Sequence, residues 1–198
     1  MRSPHSNPLP EGEGIKEAVR PPLPLGEGRG EGSAFSIRQA TTEDASVVAK
    51  LMSAFNRQVG VMGIGWGHDT APEVSDVSPE QARRRLAAMV ATERVYLADA
   101  GGQAVGIAAL RLVSHLDQDV PYAEMTQIYV DPVRRASGVG ALLIAHVEAE
   151  AQAAGTTAIY LLTGEDNTGA QAFYRRQGYA AHYVGFEKAL TSAKSEGS

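Results

Sequence analysis

The chain has 198 residues, 43% hydrophobic and 21% charged, and no cysteine, which excludes a disulfide framework and any zinc site built on thiolates. Its formal charge of -5 offers no basic surface for neutralising phosphates, so nucleic acid is not an expected partner. No apolar run reaches the roughly 18 residues of a membrane helix, and the N-terminus lacks an uninterrupted apolar stretch of the secretory kind; no membrane partner and a cytoplasmic location are expected.

Residues 1–33 hold six of the ten prolines and six of the 21 glycines, with few sizeable apolar side chains. Such a segment cannot bury enough surface to offset its ordering entropy, which predicts a disordered low-complexity tail. Its repeated Pro-Leu-Pro and Glu-Gly units are too irregularly spaced for a solenoid. One domain is expected over residues 34–191, followed by a polar tail over 192–198. Phe35–Ala40 reads as a strand, and Thr41-Thr42-Glu43-Asp44 caps a helix carrying Val48, Leu51, Met52 and Phe55 on one face. Ser78-Pro79-Glu80-Gln81 caps a second helix through Leu86, Met89 and Val90. Val95–Ala98 and Ala104–Val113 form a hairpin about the Gly101-Gly102 turn. Ala123–Val130 is a further strand, stopped by Asp131-Pro132. Leu142, Leu143, Ile144 and Val147 then give a third helix its apolar face, and Gly155 ends it. Thr157–Leu162 reads as a buried strand, Asn167 as the cap of a short helix with Phe173 and Tyr174, and Tyr179–Leu190 as closing strands. The order is that of a mixed α/β domain of the α+β type, not of alternating βαβ units.

The stretch Val130-Asp131-Pro132-Val133-Arg134-Arg135-Ala136-Ser137-Gly138-Val139-Gly140 is the most informative. A strand, a sharp turn and small residues leading into a helix expose unpaired N–H groups at the positive end of the helix dipole, which makes an anion cradle. There is no Walker lysine, and Leu143 stands where a dinucleotide fingerprint has its third glycine.

Arg135-x-x-Gly138-x-Gly140, its Val-Asp-Pro lead-in, the Leu142-Leu143 pair behind it and the downstream Asn167-x-x-Ala170-x-x-Phe173-Tyr174-x-x-x-Gly178-Tyr179 resemble the GNAT N-acetyltransferase family over about residues 35–190. The resemblance implies a mostly antiparallel sheet flanked by helices and acetyl-CoA as co-substrate. The coenzyme pyrophosphate would lie on the backbone of Arg135, Ala136, Ser137, Gly138, Val139 and Gly140, and its pantetheine arm beside the strand ending at Val130. The thioester would sit near Ile128, whose backbone N–H is freed by a strand bulge to polarise the acetyl carbonyl. Asn167 and Phe173 would line the coenzyme arm, although Asn167 serves equally as a helix cap. Ala136 departs from the glycine that many members carry.

Direct transfer to an amine needs a group that removes the ammonium proton, because an amine with a pKa near 10.4 is almost wholly charged at neutral pH. Glu124 matches the strand position of the base in some members; the bland alternative is a carboxylate at the rim of the strand, and simple alternation puts it on the face opposite Gln127. Tyr174 matches the tyrosine beside the coenzyme sulfur, able to protonate the leaving thiolate; its alternative is a helix-borne core aromatic. Without cysteine, a thiol-borne acetyl-enzyme is impossible.

The remaining features read more plainly. His68, His115, His146 and His182 lack ligand spacing, and no metal is expected. Gly60–Gly67, with Trp66, reads as a substrate-side loop, the alternative being a flexible connector between two helices, and Arg83-Arg84-Arg85 reads as a solvated helix face. Asp117, Asp119 and Glu124 bias the acceptor side toward a cationic small-molecule amine. A homodimer is compatible with the chain. The expected activity is direct acetyl transfer from acetyl-CoA to such an amine; the alternative is a non-catalytic acyl-CoA-binding sensor or interaction module.

Overall fold

Residues 35–61 and 76–182 are described by the computed structural model. Five strands among them, β1 (Phe35–Gln39), β2 (Glu93–Ala100), β3 (Gln103–Val113), β4 (Tyr122–Val130) and β5 (Ile159–Tyr160), form one sheet in sequence order. The first three pairings are antiparallel and β4–β5 is parallel. Four helices accompany them: α1 (Ala45–Val61), α2 (Pro79–Met89), α3 (Val139–Ala153) and α4 (Thr168–Arg176). This is the mixed, mostly antiparallel architecture expected. The tail over 1–33, the loop residues 62–68 including Trp66, residues 183–190 of the expected closing strands and the tail over 192–198 lie outside the described residues, while Tyr179–His182, expected to open those strands, carries no strand.

Strand alternation divides the core in two. Tyr96, Ala98, Ala108, Leu110, Ala123 and Met125 point to one face, where α3 lays down Leu143, Ile144 and Val147. Val95, Leu97, Ile107, Ala109 and Tyr129 point to the other, against Val48 and Leu51 of α1 and Ala82 and Leu86 of α2. The expected caps form: Ser78 Oγ accepts from the Gln81 N–H at 3.1 Å, and Asn167 Oδ1 from the Ala170 N–H at 3.2 Å. Arg83, Arg84 and Arg85 are exposed, with Arg84 paired to Glu80 one turn away.

Three expectations need correction. Thr157–Leu162 is a strand only at Ile159–Tyr160, and Leu162 is exposed, because pairing with β4 stops after Glu124. Leu142 is half-exposed, since the buried stripe of α3 follows Val139, Leu143, Ile144 and Val147 and leaves position 142 at its edge. Gly60 belongs to α1, which runs on to Val61, because one glycine weakens a helix without ending it.

The entry into α1 is tied down by Asp44. Its carboxylate accepts from the Thr41 N–H at 2.8 Å, completing a capping box, and receives two hydrogen bonds from the Arg38 guanidinium at 2.7 and 2.9 Å. The Arg38 bonds, with the Thr41 N–H, hold the Asp44 carboxyl down to about 2 from its ordinary 3.8. A carboxyl depressed in the folded state contributes stability that is present above its ordinary value and disappears as pH falls through its folded value. Stability should therefore fall as the pH drops from 4 to 2 on account of this group, by less than the full shift implies because the pair is exposed to solvent. Urea unfolding across that window should show the loss in the wild type and a flatter profile in Asp44→Asn.

Candidate active site

At the end of β4 the chain turns through a 3-10 segment, Pro132–Arg134, because proline cannot donate to the sheet and Asp131 Oδ1 accepts from the Val133 N–H at 3.1 Å. The Arg135 N–H is taken by the Pro132 carbonyl at 3.3 Å, and the Ser137 hydroxyl donates to the Arg134 carbonyl at 2.5 Å. Ala136 follows at φ +60°, then Gly138 at φ +88° as the cap residue of α3, with no side chain to bond the helix amides. The first intrahelical bond runs from the Leu142 N–H to the Gly138 carbonyl at 3.0 Å, so the N–H groups of Val139, Gly140 and Ala141 have no partner inside the 15-residue helix. The side chain of Val139, 1% exposed, anchors this end to the core. The loop thus aims uncapped amides and the helix dipole at one place, a fit for a pyrophosphate.

A left-handed alanine costs about 1–2 kcal/mol, which explains why glycine suits position 136. Ala136→Gly should raise stability by about 0.5–1 kcal/mol after the added chain entropy of glycine is subtracted. Denaturant midpoints of the two proteins would measure it, and a destabilised variant would mean the methyl group makes a contact worth more than the strain.

The Arg135 side chain is engaged with β4 and α1. Its Nε donates to the Val130 carbonyl at 3.2 Å, its Nη2 bonds Gln58 of α1, and its guanidinium lies 5.9 Å from the centre of the Tyr129 ring. These contacts fasten the loop to β4 and α1. Gly140 has a different reason to be glycine: a Cβ there would stand 3.1 Å from Phe173 Cζ, so its absence lets α4 set that ring on the first turn of α3. Beside Phe173, Tyr174 is half-buried, its ring 5.6 Å from Phe173 and 5.9 Å from Tyr179. Burial pushes the Tyr174 phenol up from its ordinary value, so at neutral pH it carries its proton. The Asn167 cap occupies the side-chain oxygen and leaves the amide nitrogen outside it.

β4 pairs with β3 along its length but with β5 only at Ala123–Ile159 and Glu124–Tyr160. The Asp131 N–H donates to the Val105 carbonyl on β3 at 2.9 Å. By alternation the N–H groups of Tyr129 and Gln127 also face β3, and those of Ile128 and Val130 face the opposite edge, which has no strand partner among the described residues. Arg135 reaching the Val130 carbonyl agrees with this parity. A gap therefore opens between β4 and β5, lined on the β4 side by the backbone of Ile128 and Val130. Ile128, Val130, Phe173 and Tyr174 all pack on the α3 side of the sheet.

The register of β4 slips by one residue between Met125 and Gln127, leaving Thr126 as a bulge. Across β3, Gln127 stands opposite Ala109 and Glu124 opposite Arg111. Ala109 and Arg111 are two residues apart and share a face, so Glu124 and Gln127 share it too, against the expectation of opposite faces. The inserted residue reverses the parity. That face is the one covered by α1 and α2. Glu124 lies on that face, and Tyr174 packs on the other. Its carboxylate lies 3.7 Å from Arg111 Nη1, and Arg111 Nε lies 3.8 Å from Glu93 on β2. Thr126 Oγ1 donates to Glu93. Glu93, Arg111 and Thr126 were not singled out from the sequence. No local pattern marks them, because they meet only through the register of three strands.

Among the described residues no group of three or more His, Cys, Asp or Glu could hold a metal ion, and no helix is long and apolar enough to cross a membrane. Of the acidic pair expected near the acceptor, Asp117 is exposed and lies 4.0 Å from His115, and Asp119 is exposed as well.

A sequence profile described as the acetyltransferase (GNAT) family matches residues 63–179, more than half of the chain. The chain belongs to the GNAT acetyltransferase family. Among curated proteins, this GNAT chain is 28% identical over 156 residues to an aminoalkylphosphonate N-acetyltransferase of Salmonella typhimurium, covering 78% of the chain and 90% of that protein. It is 34% identical over 87 residues to an IAA acetyltransferase of Azospirillum brasilense, a stretch covering 44% of the chain and 54% of that protein. Two solved structures share its fold. An aminoglycoside acetyltransferase from an uncultured soil metagenomic sample, crystallised with trehalose, has a TM-score of 0.63 at 17% identity and covers 79% of this chain and 97% of its own. A ribosomal-protein-alanine N-acetyltransferase from Brucella melitensis biovar Abortus 2308 has a TM-score of 0.64 at 16% identity, covering 79% and 99%. The GNAT family uses acetyl-CoA as its co-substrate.

Proposed function

We propose that this GNAT protein transfers an acetyl group directly from acetyl-CoA to the amine of a small cationic molecule. The observation that carries the proposal is the gap between β4 and β5, with uncapped amides of α3 beyond one end, Tyr174 on one face and Glu124 on the other. Acetyl-CoA, when bound, supplies a thioester carbonyl as electrophile. The amides of Val139, Gly140 and Ala141 hold its pyrophosphate, within a loop whose shape Arg135, Ala136, Ser137 and Gly138 maintain. Val130 and Ile128 offer their open backbone edge to the arm, and the Ile128 N–H donates to the acetyl oxygen as negative charge gathers there. Phe173 and the Asn167 amide flank that arm. Glu124 removes one proton from the incoming ammonium, directly or through a water, the protonated Tyr174 gives its proton to the departing thiolate, and the second proton, shed by the nitrogen as the amide bond forms and the C–S bond breaks, restores the Tyr174 phenol. Glu93 and Glu124 flank the single guanidinium of Arg111, an excess of acidic over basic side chains that supports a cationic acceptor. The name of the aminoalkylphosphonate relative supports a small one.

Thiol release measured with acetyl-CoA against a panel of small primary amines tests the proposal, with the acetylated amine identified by mass. Release that depends on amine supports it. Saturable acetyl-CoA binding with no release on any amine would overturn it in favour of an acyl-CoA-binding module. Tyr174→Phe should lower kcat about tenfold and leave acetyl-CoA affinity within twofold, since only the hydroxyl is lost; a large loss of affinity would make Tyr174 a structural aromatic.

A further inference from the structure

Glu93 is an unusual residue for its place. The β2 positions that follow it on the same face, Val95 and Leu97, are apolar and buried, yet Glu93 puts a carboxylate there with only 9% of its side chain exposed. A charge so hidden persists only where partners offset its lost hydration. Its partners are Thr126, the bulge residue of β4 two strands away, and Arg111 on the strand between them. Arg111 is itself divided. It stands 3.8 Å from Glu93 and 3.7 Å from Glu124, beyond hydrogen-bond length in both directions. One guanidinium is shared by two carboxylates, and neither ion pair is closed.

We propose that Glu93 is a positioning residue for acetyl transfer: it anchors the β4 bulge through Thr126 and holds Arg111 midway, so that Arg111 does not close on Glu124. This rests on Glu124 being the base. A carboxylate locked in a bidentate pair has its lone pairs occupied and takes a proton poorly, whereas one beside a shared cation at 3.7 Å keeps a lone pair open to the incoming ammonium. The bulge arm acts on the other substrate, because the inserted Thr126 sets the parity that turns the Ile128 N–H toward the open edge. Other groups near Glu124 are Tyr160, opposite it on β5, and Tyr122 two residues earlier on β4, whose ring is 5.0 Å from that of His115, itself near Asp117. None of these lies between Glu124 and Arg111 in the strand register.

The test is the pH profile of kcat/KM for five variants, with acetyl-CoA and the best amine of the panel. Glu93→Gln keeps an acceptor for Thr126 and removes the charge. It should lower kcat about tenfold, leave acetyl-CoA affinity within twofold, and move the acidic limb about one pH unit lower, as Arg111 closes on Glu124. Arg111→Met, at a half-exposed position, should move that limb the opposite way. Opposite displacements are not the result of a general loss of structure. Thr126→Val should weaken acetyl-CoA binding by calorimetry about fivefold with the limb unmoved, and Thr126→Ser should restore it. A folded Glu93→Gln with wild-type kcat and limb overturns the proposal. If Glu93→Gln does not fold, an unmoved limb in Arg111→Met overturns it. Glu124→Gln separates the two readings: a limb that survives in it refutes Glu124 as base, while the Thr126 variants report on the Glu93 anchor independently.

Discussion

Gly140→Glu is expected to abolish measurable acetyl-CoA binding, a loss of at least a hundredfold in affinity by calorimetry. Two independent effects act in the same direction. Any Cβ at this position meets Phe173 Cζ at 3.1 Å, tighter than ordinary contact, so either the ring or the first turn of α3 must shift. The added carboxylate then places negative charge at the helix N-terminus where the Val139, Gly140 and Ala141 amides are to receive a pyrophosphate, and it can cap those amides itself. Gly140→Ala separates the two effects. It carries the steric cost without the charge and should lose about tenfold. Unchanged affinity in Gly140→Glu would mean that the coenzyme does not use this cradle.

Glu124→Gln is expected to lower kcat by about 10²–10³, with KM for acetyl-CoA nearly unchanged and the acidic limb of the rate profile lost. The amide keeps the size of the side chain and removes its capacity to take a proton. Glu124 lies on the α1 and α2 side of the sheet, while the cradle residues and Tyr174 lie on the α3 side, so the change should leave the coenzyme arm untouched. A variant with kcat within threefold of wild type would remove Glu124 from the mechanism. A variant with full kcat but raised KM for the amine would assign it to acceptor binding instead.

Much of the fold can be read from short-range chemistry. The Thr41, Ser78 and Asn167 caps, the Gly101-Gly102 turn and the Pro132 stop each depend on a few adjacent residues, and each stands where it was expected. The strand-turn-helix loop before Gly140 is legible for the same reason. What could not be read depends on register. Thr126 looks like any β-branched strand residue, yet as an insertion it moves Gln127 onto the face of Glu124 and sets the direction of the Ile128 amide. Glu93 and Arg111 are 18 residues apart in sequence, and only the β2–β3–β4 pairing makes them neighbours of Glu124. The shortness of β5 has the same origin. Thr157–Leu162 has the composition of a buried strand, but the divergence of β4 leaves it a partner for only two residues. Local propensity reports what a segment can form, and the neighbouring strand decides how much of it does.

The opening beside β4 also divides that strand's amides into two populations. Gln127 and Tyr129 are held by β3 and should exchange their hydrogens only when the sheet core opens. Ile128 and Val130, one position away on the same strand, should exchange as readily as loop amides in the free protein and slow sharply once a donor lies along the edge. The strand is rigid on one side and ready to accept on the other, so hydrogen exchange at two adjacent residues can report occupancy of the channel without any turnover.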